Sequence, residues 1–190
     1  MTPSAQRLLR EAVLVTGNRS KAEEARRILG IELDYAAIDL PEIQSLELED
    51  VLKAKGNEAW NRLRRPIVVD ETGLELDALN SFPGPLIKWL LQSVGSNGLC
   101  RLGHGPKNSG ATARCGLLYR DQERQVIAHG AVKGLITSAP RGTQGFGWDP
   151  IFQPEGHQLT YAEMSSETKD LCGHRGLVWR RLGQALDELV

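Results

Sequence analysis

The stretch Ile67-Val68-Val69-Asp70-Glu71-Thr72-Gly73 places two adjacent carboxylates directly after three β-branched apolar residues. The apolar run follows Pro66 and predicts a short, fully buried strand. In an open α/β sheet, ligands bind at the carboxyl ends of strands, so Asp70 and Glu71 are predicted to line a crevice. Two acidic side chains beside a hydrophobic sheet require a positive partner, and Mg²⁺ is a common one. A solvated turn is the alternative that this stretch leaves open.

The composition of the 190-residue chain is that of an ordinary globular protein. Hydrophobic residues at 41% and charged residues at 25% suffice for one large domain or two joined lobes. The net charge of −1 argues against duplex nucleic acid as a partner but not against a small anionic ligand. Cys100, Cys115 and Cys172 have no metal-binding spacing and favour a reducing, cytoplasmic setting. We expect no membrane segment and no signal segment, because no apolar run is long enough.

A second candidate ligand site is the turn Thr16-Gly17-Asn18-Arg19-Ser20-Lys21, which separates a predicted strand over 12–15 from a helix that ends at Gly30. Ser20 and Glu23 have the spacing of a capping box, and free amides at such a helix start attract phosphate. Lys21 opposes the helix dipole at a cost of about 0.3–1 kcal/mol, and a bound polyphosphate would reverse that sign. An exposed lysine on a solvated helix is the alternative.

The rest of the chain alternates between strand-like and helix-like patterns. A predicted helix over 47–63 carries Lys55 in its apolar stripe, where the amine either extends to the edge of the core or binds an anion. The other predicted elements are a weak strand over 34–39, a strand running into a turn over 74–78, a rigid corner at 82–85, a short helix over 86–91, a loop or lobe boundary at 95–110, a hairpin of 111–120 with 125–129, a strand over 132–137 and a final helix through Leu189.

The stretch 141–150 is unusual because three glycines surround Phe146 and Trp148. Such a backbone can approach a ligand closely, and stacking of an aromatic ring on a base contributes about 1–3 kcal/mol. Packing in the core is the alternative for both rings. Lys169, His174 and Arg175 follow near the end of the chain, without the pattern of a nucleophilic triad or a zinc site.

Together these motifs resemble the inosine triphosphate pyrophosphatase family, which hydrolyses non-standard purine nucleoside triphosphates, over about residues 13–186. TGNRSK (16–21) resembles the family's Thr-Gly-Asn-x-x-Lys turn. Four further stretches of this chain are similar to other signatures of the family, namely LPE (40–42), FPGPLIKW (82–89), GFGWDPIFQPEG (145–156) and YAEM (161–164). The last of these is followed by Lys169 and His174-Arg175, as in the family's final signature. The resemblance implies an α/β fold, in which an elongated mixed β-sheet flanked by helices forms one domain over 1–190, with two lobes, a central cleft and a homodimer.

The resemblance also implies an activity and a set of site residues. The expected reaction converts ITP, dITP or XTP to the nucleoside monophosphate and pyrophosphate, as nucleotide-pool cleansing. Glu42 and Glu71 would hold Mg²⁺, with Mn²⁺ as an alternative, and Glu71, Asp70 and Lys21 would be catalytic. The implied substrate-binding residues are Thr16, Gly17, Asn18, Arg19, Ser20, Lys21, Lys55, Thr72, Phe146, Gly147, Trp148, Asp149, Lys169, His174 and Arg175.

Four positions depart from the family's pattern. Glu71 replaces the usual aspartate, and a misplacement of about 1 Å can cost about 10²-fold in rate. Asp70 should not substitute fully, because neighbouring strand residues point to opposite faces. Gly173, Asp170 and Thr168 replace serine, asparagine and an acidic residue in the segment that recognises the base. Two alternatives follow, namely the same chemistry on a different or modified nucleotide in a dedicated pathway, and a nucleotide-binding protein with little turnover.

Overall fold

The computed structural model describes residues 1–105 and 108–189. Its helices are α1 (Pro3–Glu11), α2 (Arg19–Leu29), α3 (Leu48–Leu63), α4 (Ile87–Gly103), α5 (Ser166–Cys172) and α6 (His174–Asp187). Its strands are β1 (Val13–Val15), β2 (Asp34–Ala36), β3 (Ile67–Leu76), β4 (Pro83–Gly84), β5 (Gly110–Arg120), β6 (Gln125–Ile136) and β7 (Phe152–Pro154). Single 3₁₀ turns occupy Asp77–Leu79 and Asp149–Ile151. Within these ranges no helix has the length and apolar character needed to cross a lipid bilayer.

The strands form one mixed sheet in the order β2-β1-β3-β5-β6-β7, which confirms the predicted α/β class. β1 runs parallel to β2 and β3, whereas β3, β5, β6 and β7 are successively antiparallel. β4 pairs with β3 on the same edge as β1. Because β1 ends opposite Val69 and β4 pairs with Leu74 and Glu75, residues 70–73 have a strand neighbour on one side only within the described part of the chain.

The central strand β3 is longer than its apolar run predicts. We expected it to end at Val69, but it pairs with β5 as far as Leu76, so that prediction was wrong. The predicted strand over 74–78 is its continuation. Only the parallel pairing with β1 stops at Val69, which leaves Asp70 and Glu71 inside an antiparallel ladder. The long partner β5 supplies the pairing that the local sequence does not reveal.

Three other local predictions were also wrong. The capping box fails because Asn18, not Ser20, caps α2, with Asn18 Oδ1 accepting from the Ser20 N–H at 3.0 Å, although Gly30 ends the helix as expected. The predicted short helix and most of the predicted 95–110 loop form one helix, α4, which is kinked at Gly95. Burial of Leu99 and Cys100 favours the helix over a loop. Residues 106 and 107 of the predicted loop lie outside the described residues. The predicted separate strand over 132–137 is instead the continuation of β6, whereas the predicted hairpin is confirmed by the pairing of β5 with β6.

The hydrophobic core consists of three clusters, and β3 contributes residues to each of them. Val68 faces a cluster formed with α1, α2 and α6, whereas Ile67 and Val69 face α3 on the opposite side of the sheet. Leu74 and Leu76 belong to a third cluster with α4 and the segment around Phe152. Asp70 and Glu71 lie on β3 between the residues that contribute to these clusters. Because they are neighbours on one strand, their side chains are directed to opposite faces of the sheet.

Candidate active site

The two acidic residues of β3 each contact a lysine, on opposite faces of the sheet as strand geometry requires. Lys21 Nζ of α2 lies 3.1 Å from Asp70 Oδ1, and Lys55 Nζ of α3 donates to Glu71 Oε2 at 2.8 Å. Both acids are buried. The positive partners that two carboxylates at this position require are therefore supplied by two helices from different parts of the chain.

On the α2 side, Asp70 belongs to a connected set of six charged side chains, the buried charge cluster, formed by Lys21, Glu24, Asp70, Asp149, Lys169 and Arg175. Arg175 joins Glu24 Oε2 at 2.7 Å to Asp70 Oδ2 at 3.6 Å. Lys169 Nζ donates to Asp149 Oδ2 at 2.6 Å and lies 3.8 Å from Glu24 Oε1. The three carboxylates and three cations balance, which is the condition under which such burial is tolerated.

Burial and pairing set the pKa values in the buried charge cluster. Burial acts to raise the pKa of Glu24 and of Asp70, but Arg175 and the neighbouring lysines hold both values below the ordinary range. Burial raises the pKa of Asp149 above its ordinary value even though Lys169 opposes the change. Asp149 is thus the acid in this set that most readily takes a proton. Asp70 Oδ2 and Arg175 Nε have no hydrogen-bond partner among the described residues, so the carboxylate oxygen can accept and the guanidinium N–H can donate a further hydrogen bond.

On the α3 side, the ammonium group of Lys55 lies close to two carboxylates, those of Glu71 and Glu42. Its Nζ lies 2.8 Å from Glu71 Oε2 and 3.6 Å from Glu42 Oε1, and it donates to the Asp70 carbonyl at 3.1 Å. Of the two alternatives for this lysine, binding to an anion is therefore the one observed. Glu71 Oε1 also accepts the Thr72 N–H at 3.0 Å. No group of three or more His, Cys, Asp or Glu side chains suited to a metal ion occurs in the described ranges.

The aromatic residues divide between the core and an accessible wall. Trp148 is buried against Phe152 and packs against His174 in a tilted arrangement, with ring centroids 5.1 Å apart. Of the two alternatives for this ring, packing in the core is the one observed. Phe146 is half-buried, and its ring centroid lies 4.9 Å from Lys169 Nζ and 5.4 Å from Arg175 Cζ. A cavity of about 190 Å³ borders this ring. Phe146 is therefore the ring that can stack on a ligand.

Hydrogen bonds within the predicted phosphate turn occupy several of its own polar groups. Thr16 Oγ1 accepts the Asn18 N–H at 3.1 Å, and Asn18 in turn caps Ser20. Arg19 is not brought into the buried charge cluster, because its mostly exposed side chain pairs with Glu23 at 2.8 Å on the same helix. Gly17 lies in open space, and Gly147 has a left-handed backbone (φ 63°) and is exposed. Lys21 is thus the member of this turn that reaches the buried acids.

Glu24 is the site residue that the sequence analysis missed. It is buried and contacts both Lys169 and Arg175, which come from the other end of the chain. One signal could have found it, because Glu24 lies one turn after Lys21 and so shares its helix face. A carboxylate on a face that also carries Ala25 and Ile28 indicates a buried cationic partner, although not which one.

Gly173 suits the backbone of the α5–α6 junction. Its N–H donates to the Lys169 carbonyl at 2.7 Å, and an added Cβ would lie 2.5 Å from that same oxygen. The serine that the resemblance leads us to expect here would therefore require this turn to shift. Because this turn includes Lys169, Gly173 helps to determine the position of that lysine.

The buried imidazole of His174 predicts a loss of stability in acid. Burial, reinforced by Arg175 and Lys169, holds the pKa of His174 well below the ordinary histidine value. Below that ordinary value of about 6.5, the unfolded chain therefore binds a proton that the folded chain does not. The free energy of unfolding should fall by up to about 1.4 kcal/mol per pH unit until the folded-state pKa is reached. Urea denaturation between about pH 7.5 and about 5.5 measures this slope.

A His174→Phe variant is the control for the acid effect, because it keeps an aromatic ring between Trp148 and Tyr161 without a titrating group. Its slope over the same pH range should be flatter than that of the parent. The paired carboxylates Glu24 and Asp70 lose their contribution only below about pH 4, outside this window. An unchanged slope in the variant would assign the acid sensitivity to other groups.

The fold and the site define the class as a mixed α/β protein with a buried, charge-balanced cluster beside an accessible aromatic ring. The chain belongs to the Ham1 family, whose profile matches residues 12–185. It is 38% identical over 184 residues to an inosine triphosphate pyrophosphatase of Schizosaccharomyces pombe, covering 95% of this chain and 97% of the relative. It is also 38% identical to a dITP/XTP pyrophosphatase of Thermococcus kodakarensis, covering 92% and 96%. A HAM1 protein from Coxiella burnetii has a similar structure (TM-score 0.72, 27% identity, 93% of this chain and 98% of that chain).

Proposed function

We propose that this chain hydrolyses non-standard purine nucleoside triphosphates, such as ITP, dITP and XTP, to the monophosphate and pyrophosphate. The names of the two relatives, one an inosine triphosphate pyrophosphatase and the other a dITP/XTP pyrophosphatase, support this reaction. The observation that carries the proposal is that Lys21, Lys169 and Arg175 meet in the buried charge cluster next to the Phe146 ring. A ligand that is both polyanionic and aromatic matches this combination.

The cations of the cluster would bind the triphosphate by exchanging partners. Lys21 and Lys169 are now neutralised by Asp70 and Asp149, and phosphate oxygens would compete for the same ammonium groups. After this exchange, ammonium groups that already lie at the site stabilise the negative charge that develops on the phosphates. Phe146 would stack on the base. His174 Nδ1 and the Tyr161 hydroxyl, which have no hydrogen-bond partner among the described residues, provide further polar atoms nearby.

Glu42 and Glu71 fit a divalent cation in this reaction. Both carboxylates lie within 4 Å of one ammonium group, Lys55 Nζ, so both face a position that already attracts a cation. Mg²⁺ is usually held by one or two carboxylates together with substrate phosphates, and Mn²⁺ accepts the same oxygen ligands. When bound, the ion would supply charge neutralisation and orientation of the phosphates.

Glu71 is the proposed general base for the attacking water. Its Oε2 now accepts a hydrogen bond from Lys55 and would accept the water proton when Lys55 turns to the phosphates. Asp70 holds Lys21 from the opposite face, and Thr72 fixes Glu71 Oε1 through its N–H. This division gives each acid of β3 a separate task.

The assembly is also part of the proposal. We propose one domain over 1–190 whose two lobes meet at the site, and a homodimer. Leu46, Phe82 and Trp89 are 62%, 42% and 57% exposed near the Glu42–Lys88 ion pair, and exposed apolar surface of this kind marks interaction sites. Light scattering should give twice the chain mass. Because Cys100, Cys115 and Cys172 are free thiols, a reducing cytoplasmic setting remains the proposed location.

The test is a panel of triphosphates with Mg²⁺, in which pyrophosphate and orthophosphate are detected separately. ITP, dITP and XTP should release pyrophosphate with kcat/KM about 10²-fold or more above that for ATP and GTP, because a site built on hydrogen bonds rejects a mismatched base strongly. Turnover of another modified nucleotide would instead indicate the same chemistry on a different base. Tight ITP binding without pyrophosphate release would indicate a binding protein, and release of orthophosphate alone would contradict the proposal.

A further inference from the structure

A long-range ion pair between Arg27 and Asp170 joins α2 to α5. Arg27 donates from Nε to Asp170 Oδ2 at 2.5 Å and from Nη2 to Asp170 Oδ1 at 3.0 Å, although the two residues are 143 positions apart. The side chain of Asp170 is 11% exposed and that of Arg27 40%. Two parallel hydrogen bonds fix orientation as well as distance. The pair therefore holds the two helices in one defined arrangement.

Asp170 also ties α5 to α6. Arg180 donates to the Asp170 carbonyl at 3.2 Å and to the Leu171 carbonyl at 2.9 Å. α5 has only seven residues, and helices of that length are not stable in water without tertiary contacts. The position of α5 thus depends on such ties, and Asp170 makes two of them.

The neighbouring Lys169 depends on where α5 lies. Lys169 Nζ is 3.8 Å from Glu24 Oε1, and Glu24 precedes Arg27 by one turn on the same face of α2. Helix α2 therefore contacts α5 at two adjacent points, through Glu24 with Lys169 and through Arg27 with Asp170. A shift of α5 along α2 would change both contacts together.

Arg27 also borders the cavity beside Phe146. This cavity of about 190 Å³ is lined by Arg27, Lys169 and Phe146 among other residues. Because both Asp170 oxygens accept from Arg27, the carboxylate holds the guanidinium in the cavity wall and is itself engaged. The aspartate that we placed in the base-recognition segment thus contacts an arginine of α2.

We propose that Arg27 and Asp170 are positioning residues that set the place of Lys169, and with it the width of the cavity beside Phe146, for the bound nucleotide. The inference rests on the proposed function and extends it to two residues that need not touch the reacting phosphates. It concerns the affinity for substrate, since the acids and cations that act on the phosphates remain present when the pair is broken.

The test compares steady-state kinetics of Arg27→Gln, Asp170→Asn and the double variant with ITP. Each single change leaves one charge without its partner, and KM should rise about tenfold while kcat stays within about twofold. The double variant replaces the ion pair with two neutral amides that can still form a hydrogen bond, so KM should return to within about threefold of the parent value.

The ion pair between Arg114 Nε and Glu75 Oε1, at 2.6 Å between β5 and β3, provides matched controls. Arg114→Gln and Glu75→Gln should leave KM unchanged, and thermal melting of all variants reports any loss of stability separately. A KM within about twofold of the parent in both Arg27→Gln and Asp170→Asn, whatever their melting temperatures, overturns the inference.

Failure of the proposed function has a different signature. If the parent protein releases no pyrophosphate from ITP, the same variants are compared for ITP affinity by calorimetry. A tenfold weaker affinity in the single variants, about 1.4 kcal/mol, would then support the positioning role alone. Equal affinity in parent and variants, or no ITP binding by the parent, would overturn it.

Discussion

Replacing Glu71 with glutamine should lower kcat for ITP by about 10²- to 10⁴-fold, the range that a positioned general base contributes. Glutamine keeps the size of the side chain and an oxygen for the Thr72 N–H, which Glu71 Oε1 accepts at 3.0 Å. It cannot take a proton from water, and its amide group would face the ammonium of Lys55, which now lies 2.8 Å from Glu71 Oε2. Initial rates of pyrophosphate release measure the effect.

Glu75→Gln is the matched control, because Glu75 lies on the same strand and also pairs with a cation, Arg114. Its activity should equal that of the parent. A Glu71→Asp variant then shows whether the longer glutamate side chain lowers the activity of the site or is required by it. A large gain in rate would show a site detuned by the longer acid, and a loss would show one built around it. Near-parental activity of Glu71→Gln would remove this residue from the chemistry.

The local sequence was enough to predict the elements that position the site. Periodicity identified α3 and placed Lys55 on its buried face, and strand alternation placed Asp70 and Glu71 on opposite faces. The β5–β6 hairpin was readable from its polar turn. These features depend on residues that are close in the chain, which is why a pattern in the sequence can report them.

The partners of the charged residues could not be predicted in this way. Lys169 pairs with Asp149, 20 positions away, but also lies beside Glu24 at the other end of the chain. The length of β3 depends on β5, and the helical conformation of the glycine-rich segment 95–103 depends on burial of Leu99. Each of these outcomes follows from tertiary packing, which overrides local composition.

Replacing Lys169 with methionine should lower kcat/KM for ITP by about 10²- to 10³-fold, as expected for removal of one preorganised charge donor. Methionine keeps the length of the side chain and removes the ammonium group that lies 2.6 Å from Asp149 Oδ2 and 4.9 Å from the Phe146 ring. Asp149 would lose its cation, and its pKa, which burial already raises, should rise further. We therefore expect a stability loss of about 1–3 kcal/mol near neutral pH that becomes smaller in acid, as Asp149 takes a proton.

The double variant Lys169→Met/Asp149→Asn distinguishes catalysis from folding. Its neutral amide removes the unpaired charge while keeping an acceptor for the Phe146 N–H, which Asp149 Oδ2 now accepts at 2.8 Å. Urea denaturation should show that most of the stability returns, because replacing both members of a buried pair is close to neutral. The rate of pyrophosphate release should stay low, because no ammonium group is restored. Recovery of both stability and rate would mean that Lys169 acts only by compensating Asp149, and its role at the triphosphate would have to be withdrawn.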